Sequence, residues 1–192
     1  MTNFSKVSFV KSAPTLADRP SDNLFEVCFV GKSNVGKSSL INALCKQKKL
    51  AYTSSKPGYT KLLNYYLIDN KFYLVDAPGY GYTASGNKHL DSFATMMESY
   101  FDNPHLKGVI FLVDSRHKMS NDDVMFYEFI KGKNIPFVLI TTKVDKLNQS
   151  EKAKMKKNVK EAFGDIVYLP CSKDEPVLID KIRETIVHLV LN

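Results

Sequence analysis

The chain has 192 residues, 44% of them hydrophobic and 24% charged, which suits one domain that buries its own core without a disulfide or metal staple. No apolar run approaches the ~18 residues of a membrane helix, residues 1–19 lack the basic-then-apolar order of a secretory signal, and Cys28, Cys45 and Cys171 form no CxxC pair. The expectation is a reduced, cytoplasmic protein with no membrane anchor, and a net charge of +7 favours a polyanionic partner without naming it.

In chain order, residues 7–10 offer a short edge strand, and Pro14 and Pro20 mark an extended lead-in. Residues 24–30 form an apolar run ending at Gly31, the pattern of a buried parallel strand, and a helix is expected from 37 to about 46. Residues 61–69 and 71–75 read as two strands joined by the tight-turn pair Asp69-Asn70. Then come a strand at 108–114, a helix at 120–131 capped by Ser120 or Asn121, and a strand at 135–141. A basic helix at 148–163, a short strand at 166–169 and a closing helix at 176–190 complete the chain. Such alternation predicts an α/β fold of three layers, a mostly parallel central sheet with one antiparallel edge strand, flanked by helices. An N-terminal extension, 1–22, is expected to pack on a domain spanning 23–192. Ligands in such sheets bind outside the carboxyl ends of the strands, so motifs there carry the most weight.

Gly31-Lys32-Ser33-Asn34-Val35-Gly36-Lys37-Ser38 matches GxxxxGK[ST] between a strand and a helix, and defines the fold as a P-loop NTPase. The glycines permit a loop whose N–H groups surround phosphates, and the helix that follows, through Ser39, aims its positive end at the same anion. Lys37 should reach the β- and γ-phosphates and Ser38 should ligate Mg2+. Asp76-Ala77-Pro78-Gly79, about forty residues on and after a hydrophobic strand, supplies a carboxylate for Mg2+ through water and an N–H for the γ-phosphate. Thr142-Lys143-Val144-Asp145 follows the strand at 135–141. The Asp145 carboxylate can accept from guanine N1–H and the exocyclic amino group, a donor pair that adenine lacks, and the stem of Lys143 can cover the base. A P-loop kinase or ATPase would require this last motif to be accidental.

These motifs resemble the phosphate, magnesium and guanine boxes of the translation-factor-related GTPases, with Thr142 where Asn is commoner. The resemblance adds a base-contacting loop at Cys171-Ser172-Lys173 and a first switch at Pro57-Gly58-Tyr59-Thr60-Lys61, running on to Leu62, whose Thr60 would complete the Mg2+ shell. Lys11-Ser12-Ala13-Pro14, Ala17-Asp18-Arg19-Pro20, the P-loop run to Leu44, Asp76-Ala77-Pro78-Gly79-Tyr80-Gly81-Tyr82 and Asp114-Ser115-Arg116-His117 together resemble the EngB (YihA/YsxC) family, in the TrmE-Era-EngA-EngB group. That resemblance implies a GTP/GDP switch in assembly of the large ribosomal subunit, with its precursors and their RNA as partners and a link to cell division and septation. The alternative is a nucleotide-gated module acting directly in division, with hydrolysis incidental.

Tyr80 follows the DxPG motif where many small GTPases carry a water-orienting Gln, so intrinsic hydrolysis is expected to be slow. Lys37, Thr60, Gly79 and Asn34 are the candidate catalytic residues, and two compensations for the missing Gln stay open. Asn34 sits where related GTPases help hold a potassium ion beside the phosphates, or else a partner supplies the missing group. Helix 148–163 has five lysines between 150 and 160 against one acidic residue, either a solvated face or a contact for RNA phosphates. Tyr80-Gly81-Tyr82 reads as a partner surface or as loop packing, and Met96-Met97 as packing in the core or under the switch segment that follows Asp76. The four histidines show no metal-ligand spacing, DNA is not an expected partner, and a chain without heptads is expected to be monomeric.

Overall fold

The computed structural model describes residues 2–51, 62–81, 87–172 and 174–191, and of 87–93 the backbone alone. Among these residues seven strands form one sheet: β1 Val7–Ala13, β2 Phe25–Gly31, β3 Leu63–Ile68, β4 Phe72–Asp76, β5 Leu106–Asp114, β6 Phe137–Thr142 and β7 Tyr168–Cys171. Their order is β1-β3-β4-β2-β5-β6-β7, parallel from β4 to β7 and antiparallel where β1, β3 and β4 pair at one edge. The expected mostly parallel α/β sheet with an antiparallel edge is therefore present. Asp69 and Asn70 take φ of 49° and 56°, the left-handed pair that suits a two-residue hairpin, and so β3 turns straight back into β4.

Among the described residues five α-helices cover the sheet: α1 Lys37–Leu44, α2 Asn87–Phe101, α3 Asn121–Gly132, α4 Gln149–Phe163 and α5 Pro176–Leu191. Residues alternate along β2 and β5 between two apolar layers. Cys28, Val30, Val109 and Phe111 meet Tyr100, Phe126 and Val159 from α2, α3 and α4 on one face. Val27, Phe29, Ile110 and Leu112 meet Leu40, Ile41, Ile182 and Ile186 from α1 and α5 on the other. Strands buried on both faces read as continuous apolar runs, which is why the sequence marks them so clearly.

Helix boundaries follow local chemistry. Ser120, not Asn121, caps α3, exchanging bonds with Asp123, and Asn148 caps α4 in the same reciprocal way with Glu151. Helix α1 ends at Leu44, two residues short of the expectation: Lys46 turns to φ 54°, the Lys46 and Gln47 N–H groups donate back to the Ala43 and Asn42 carbonyls, and Arg183 of α5 donates to the carbonyls of Ala43 and Leu44. Helix α2 was not expected from the sequence, although Met97 does bury in the core. Strand β1 runs three residues beyond the expected edge strand. Arg19 reaches fully buried Glu26 at 2.8 Å, and Tyr73 donates to Asp22, so side chains from before β2 close the end of the sheet remote from the P-loop.

Candidate guanine-nucleotide site

The phosphate, magnesium and guanine motifs meet at the carboxyl ends of strands: Gly31 ends β2, Asp76 ends β4, Asp114 ends β5, Thr142 ends β6 and Cys171 ends β7. Gly58, Tyr59, Thr60 and Lys61, with Tyr82 and Lys173, lie outside the described residues; Leu62 is described and is 37% exposed.

The P-loop folds tightly because its residue types allow it. A Cβ on Gly31 would sit 2.6 Å from the Leu112 carbonyl oxygen, so only glycine lets the loop leave β2 against β5. Asn34 takes φ 63° and Gly36 φ 114° as the residue before α1, while Val35 N–H donates to the Lys32 carbonyl and the Val35 side chain buries. Lys37 and Ser38 begin α1, followed by Ser39 in its first turn. Burial pushes the Lys37 ammonium below its ordinary value against the opposing pull of Asp76, and pushes the Asp76 carboxyl up against the pull of Lys37 and Ser38.

Ser38 Oγ donates to Asp76 Oδ2 at 3.0 Å, while Asp76 Oδ1 is buried and has no hydrogen-bond partner among the described residues. Among the described residues no group of three or more His, Cys, Asp or Glu could hold a metal. One hydroxyl and one carboxylate with a spare oxygen fit Mg2+, which keeps water and phosphate ligands and needs few from the protein.

Ala77 and Pro78 are buried, and Gly79 crosses directly over the P-loop. A Cβ on Gly79 would lie 2.8 Å from Ser33 Cα, and Ser33 N–H donates to the Tyr80 carbonyl at 3.0 Å. Tyr80 is 6% exposed, its hydroxyl donates to Asp123 at 2.7 Å, and its ring stacks on Phe126. This corrects the idea of Tyr80 as a partner surface: the ring belongs to the core on α3, the packing alternative. Sequence reasoning overlooked Asp123, whose mark was the Ser-x-x-Asp capping pattern at 120–123.

Thr142 Oγ1 donates to the Val35 and Val113 carbonyls at 2.7 and 3.2 Å. Lys143, at φ 61°, directs its ammonium to the Asn34 carbonyl and to Asp114 Oδ2, both at 2.8 Å. Val144 is buried in the 3-10 turn Val144–Lys146, which carries the exposed Asp145. Asp145 sits below the ordinary carboxylate range: burial raises it, but hydrogen bonds from Lys146, its own backbone and Ser172 win. Asp145 and Ser172 thus meet from the ends of β6 and β7. Cys171 lies beside Thr142 in the β6–β7 register, its thiol pushed up to about 12 by burial and then by Asp145 and Glu175. All three cysteines are buried and free.

A phosphate-binding loop, a hydroxyl–carboxylate pair and an exposed carboxylate on a third strand end, arranged along one sheet edge, define a P-loop GTPase. The family model described as 50S ribosome-binding GTPase matches residues 26–143. The chain is 50% identical to the probable GTP-binding protein EngB of Mycoplasma capricolum subsp. capricolum over 161 residues, 83% of this chain and 82% of that one. It is 44% identical to the protein of that name from Clostridium botulinum (strain Eklund 17B / Type B) over 182 residues, 91% and 92% of the two chains. Among solved structures it resembles a probable GTP-binding protein EngB with TM-score 0.64 and 20% identity, covering 86% of this chain and 98% of that one. It also resembles an Aquifex aeolicus Era bound to GDP.AlF4-, with TM-score 0.68 and 24% identity over 87% and 57%. The chain belongs to the EngB family of GTP-binding proteins and hydrolyses GTP.

Proposed function

We propose that this GTPase is a cytoplasmic switch that works as a monomer on the large ribosomal subunit or its precursors, and that normal division and septation depend on that work. The observation that carries the reading is the set of exposed lysines on α4. Lys152, Lys154 and Lys156 are exposed and have no acidic partner among the described residues, whereas Lys157 and Lys160 pair with Glu161 and Asp165. Three exposed ammonium groups without an acidic partner among the described residues, on a chain of net charge +7, suit RNA phosphates, where each contact releases counterions. The match to ribosome-binding GTPases supports the same partner. In this reading residues 1–22 are an extension packed on the GTPase domain 23–192.

Within the site, the backbone of Gly31 to Ser39 receives the phosphates and Lys37 neutralises the β- and γ-phosphoryl oxygens. Ser38, Thr60 and Asp76 hold Mg2+, which supplies electrostatic stabilisation of the transferring phosphoryl group. Gly79 offers its N–H to the γ-phosphate, and Gly58 to Leu62 form the first switch. Thr142 fixes the P-loop, the stem of Lys143 covers the base, buried Val144 anchors the turn that carries Asp145, Asp145 accepts from guanine, and the backbone N–H of Ser172 or Lys173, in the loop after Cys171, meets its oxygen. Hydrolysis is slow alone, because Tyr80 is engaged by Asp123 and Phe126 and orients no water. Potassium held at Asn34, or a group from the ribosomal partner, makes up the difference.

The test is co-sedimentation with ribosomal subunits in each nucleotide state across a salt series, with Asp145→Asn as control. Binding to the large subunit with a GTP analogue but not GDP, lost in the variant, is expected. Absence of binding in every state at low salt would refute the ribosomal partner and favour a direct role in division.

A further inference from the structure

We infer that Asp114, braced by Arg116, is a positioning residue for the bound nucleotide: it holds Lys143 against the P-loop and thereby sets how fast guanine nucleotide leaves. The inference rests on the reading of Lys143 and Asp145 as the guanine-recognition segment.

Asp114 ends β5 and lies opposite Thr142, the residue before Lys143, in the β5–β6 register. Its Oδ2 accepts from Lys143 Nζ and from Arg116 Nη2, both at 2.8 Å. Its Oδ1 accepts from Arg116 Nε at 3.0 Å and from the Arg116 backbone N–H at 3.1 Å. The carboxylate is thus gripped by a planar fork on one side and presents its remaining capacity to one ammonium. That ammonium also donates to the Asn34 carbonyl, so a single lysine joins the P-loop, the end of β5 and the segment carrying Asp145. Without Asp114, a four-carbon chain would be held at its tip by one backbone carbonyl and would regain rotamer freedom. Burial raises the Asp114 carboxyl, but hydrogen bonds from Arg116 and Lys143 outweigh it and hold it at about 2, so the brace is fully charged at neutral pH. Arg116 is exposed and lines a cleft of about 300 Å³ with Lys32, Asn34 and Lys143, whereas Asp114 is only 16% exposed. The couple touches no reacting atom, so its influence falls on nucleotide residence and not on the phosphoryl step.

The experiment measures release of fluorescent GDP from the full chain, chased with excess GDP, beside turnover at saturating GTP. Asp114→Ala should release GDP about tenfold faster or more, with saturated turnover within about twofold of wild type. Asp114→Asn should recover part of the difference, because its amide oxygen still accepts from Lys143, and Arg116→Gln should give a smaller acceleration. A merely structural role would lower saturated turnover together with thermal stability, and Asn would not rescue release. If Asp114→Ala does not fold, Asp114→Asn and Arg116→Gln decide, and wild-type release in both overturns the inference. Asp145→Asn runs alongside: loss of GDP with gain of xanthosine diphosphate upholds the reading of the base segment. Retained GDP affinity there would overturn that reading and the inference with it, whereas the expected Asp145 result with unchanged Asp114 release refutes the inference alone.

Discussion

Thr142 Oγ1 lies 2.7 Å from the carbonyl oxygen of Val35, a buried hydrogen bond between residues 107 apart that ties the end of β6 to the P-loop. It explains why threonine can stand where Asn is commoner: the position needs one short donor that reaches the loop backbone. Thr142→Val keeps the shape and removes the donor, leaving the Val35 carbonyl with a lost partner. Stability should fall by about 1–3 kcal/mol in denaturant titration and GDP affinity should drop with it, while Thr142→Ser stays near wild type. Equal stability for Val and wild type would show that the bond contributes nothing.

Gly79 tests how closely the Asp76–Tyr80 segment must approach the P-loop. Because its added Cβ would meet Ser33 backbone at 2.8 Å, neither partner can yield by rotating a side chain. Gly79→Ala is expected to lift the Asp76–Tyr80 segment off the P-loop. Single-turnover GTP hydrolysis should slow by about tenfold or more, with GDP affinity much less affected. Parallel losses in both would point to a collapsed loop instead.

Tyr80→Gln asks whether a small-GTPase glutamine can be installed here. The Tyr80 side chain is committed to Asp123 and Phe126, away from solvent, so the substitution should create a void without delivering a water-orienting amide. No gain in hydrolysis rate is expected, with about 2–4 kcal/mol lost in stability. A faster variant would show that the segment swings out during turnover.

Arg19 is the cation paired with Glu26, a carboxylate at zero exposure that also accepts from Tyr100 and Asn103. Arg19→Met strands that buried charge, and thermal unfolding should report a loss of about 3 kcal/mol. Arg19→Met with Glu26→Gln should recover much of it, since the neutral amide is cheaper to bury.

The Asp114 brace has a pH signature. A carboxyl held at about 2 when folded, against an ordinary value near 3.9, contributes stability that is complete above pH ~4 and is lost as pH falls towards 2. The contribution is on the order of 1 kcal/mol once solvent screening is allowed for. Asp114→Asn should flatten that limb of the stability curve while leaving the region above pH 5 parallel to wild type.

The sequence by itself determined the strands, most helices and the three motifs, because each is a local property: doubly buried strands are continuous apolar runs, caps are single polar residues, and a P-loop needs glycine and lysine at set offsets. Helix α2 escaped because nothing between Asn87 and Phe101 stood out as a cap or motif, and its burial of Met97, Tyr100 and Phe101 depends on where the sheet lies. Only the tertiary structure decided that Tyr80 joins the core, that Arg183 of α5 covers the last carbonyls of α1, and that Asp114, braced by Arg116, holds Lys143. Each of these rests on a side chain meeting a group from a remote element, and the geometry of such a meeting exists only after the layers have packed.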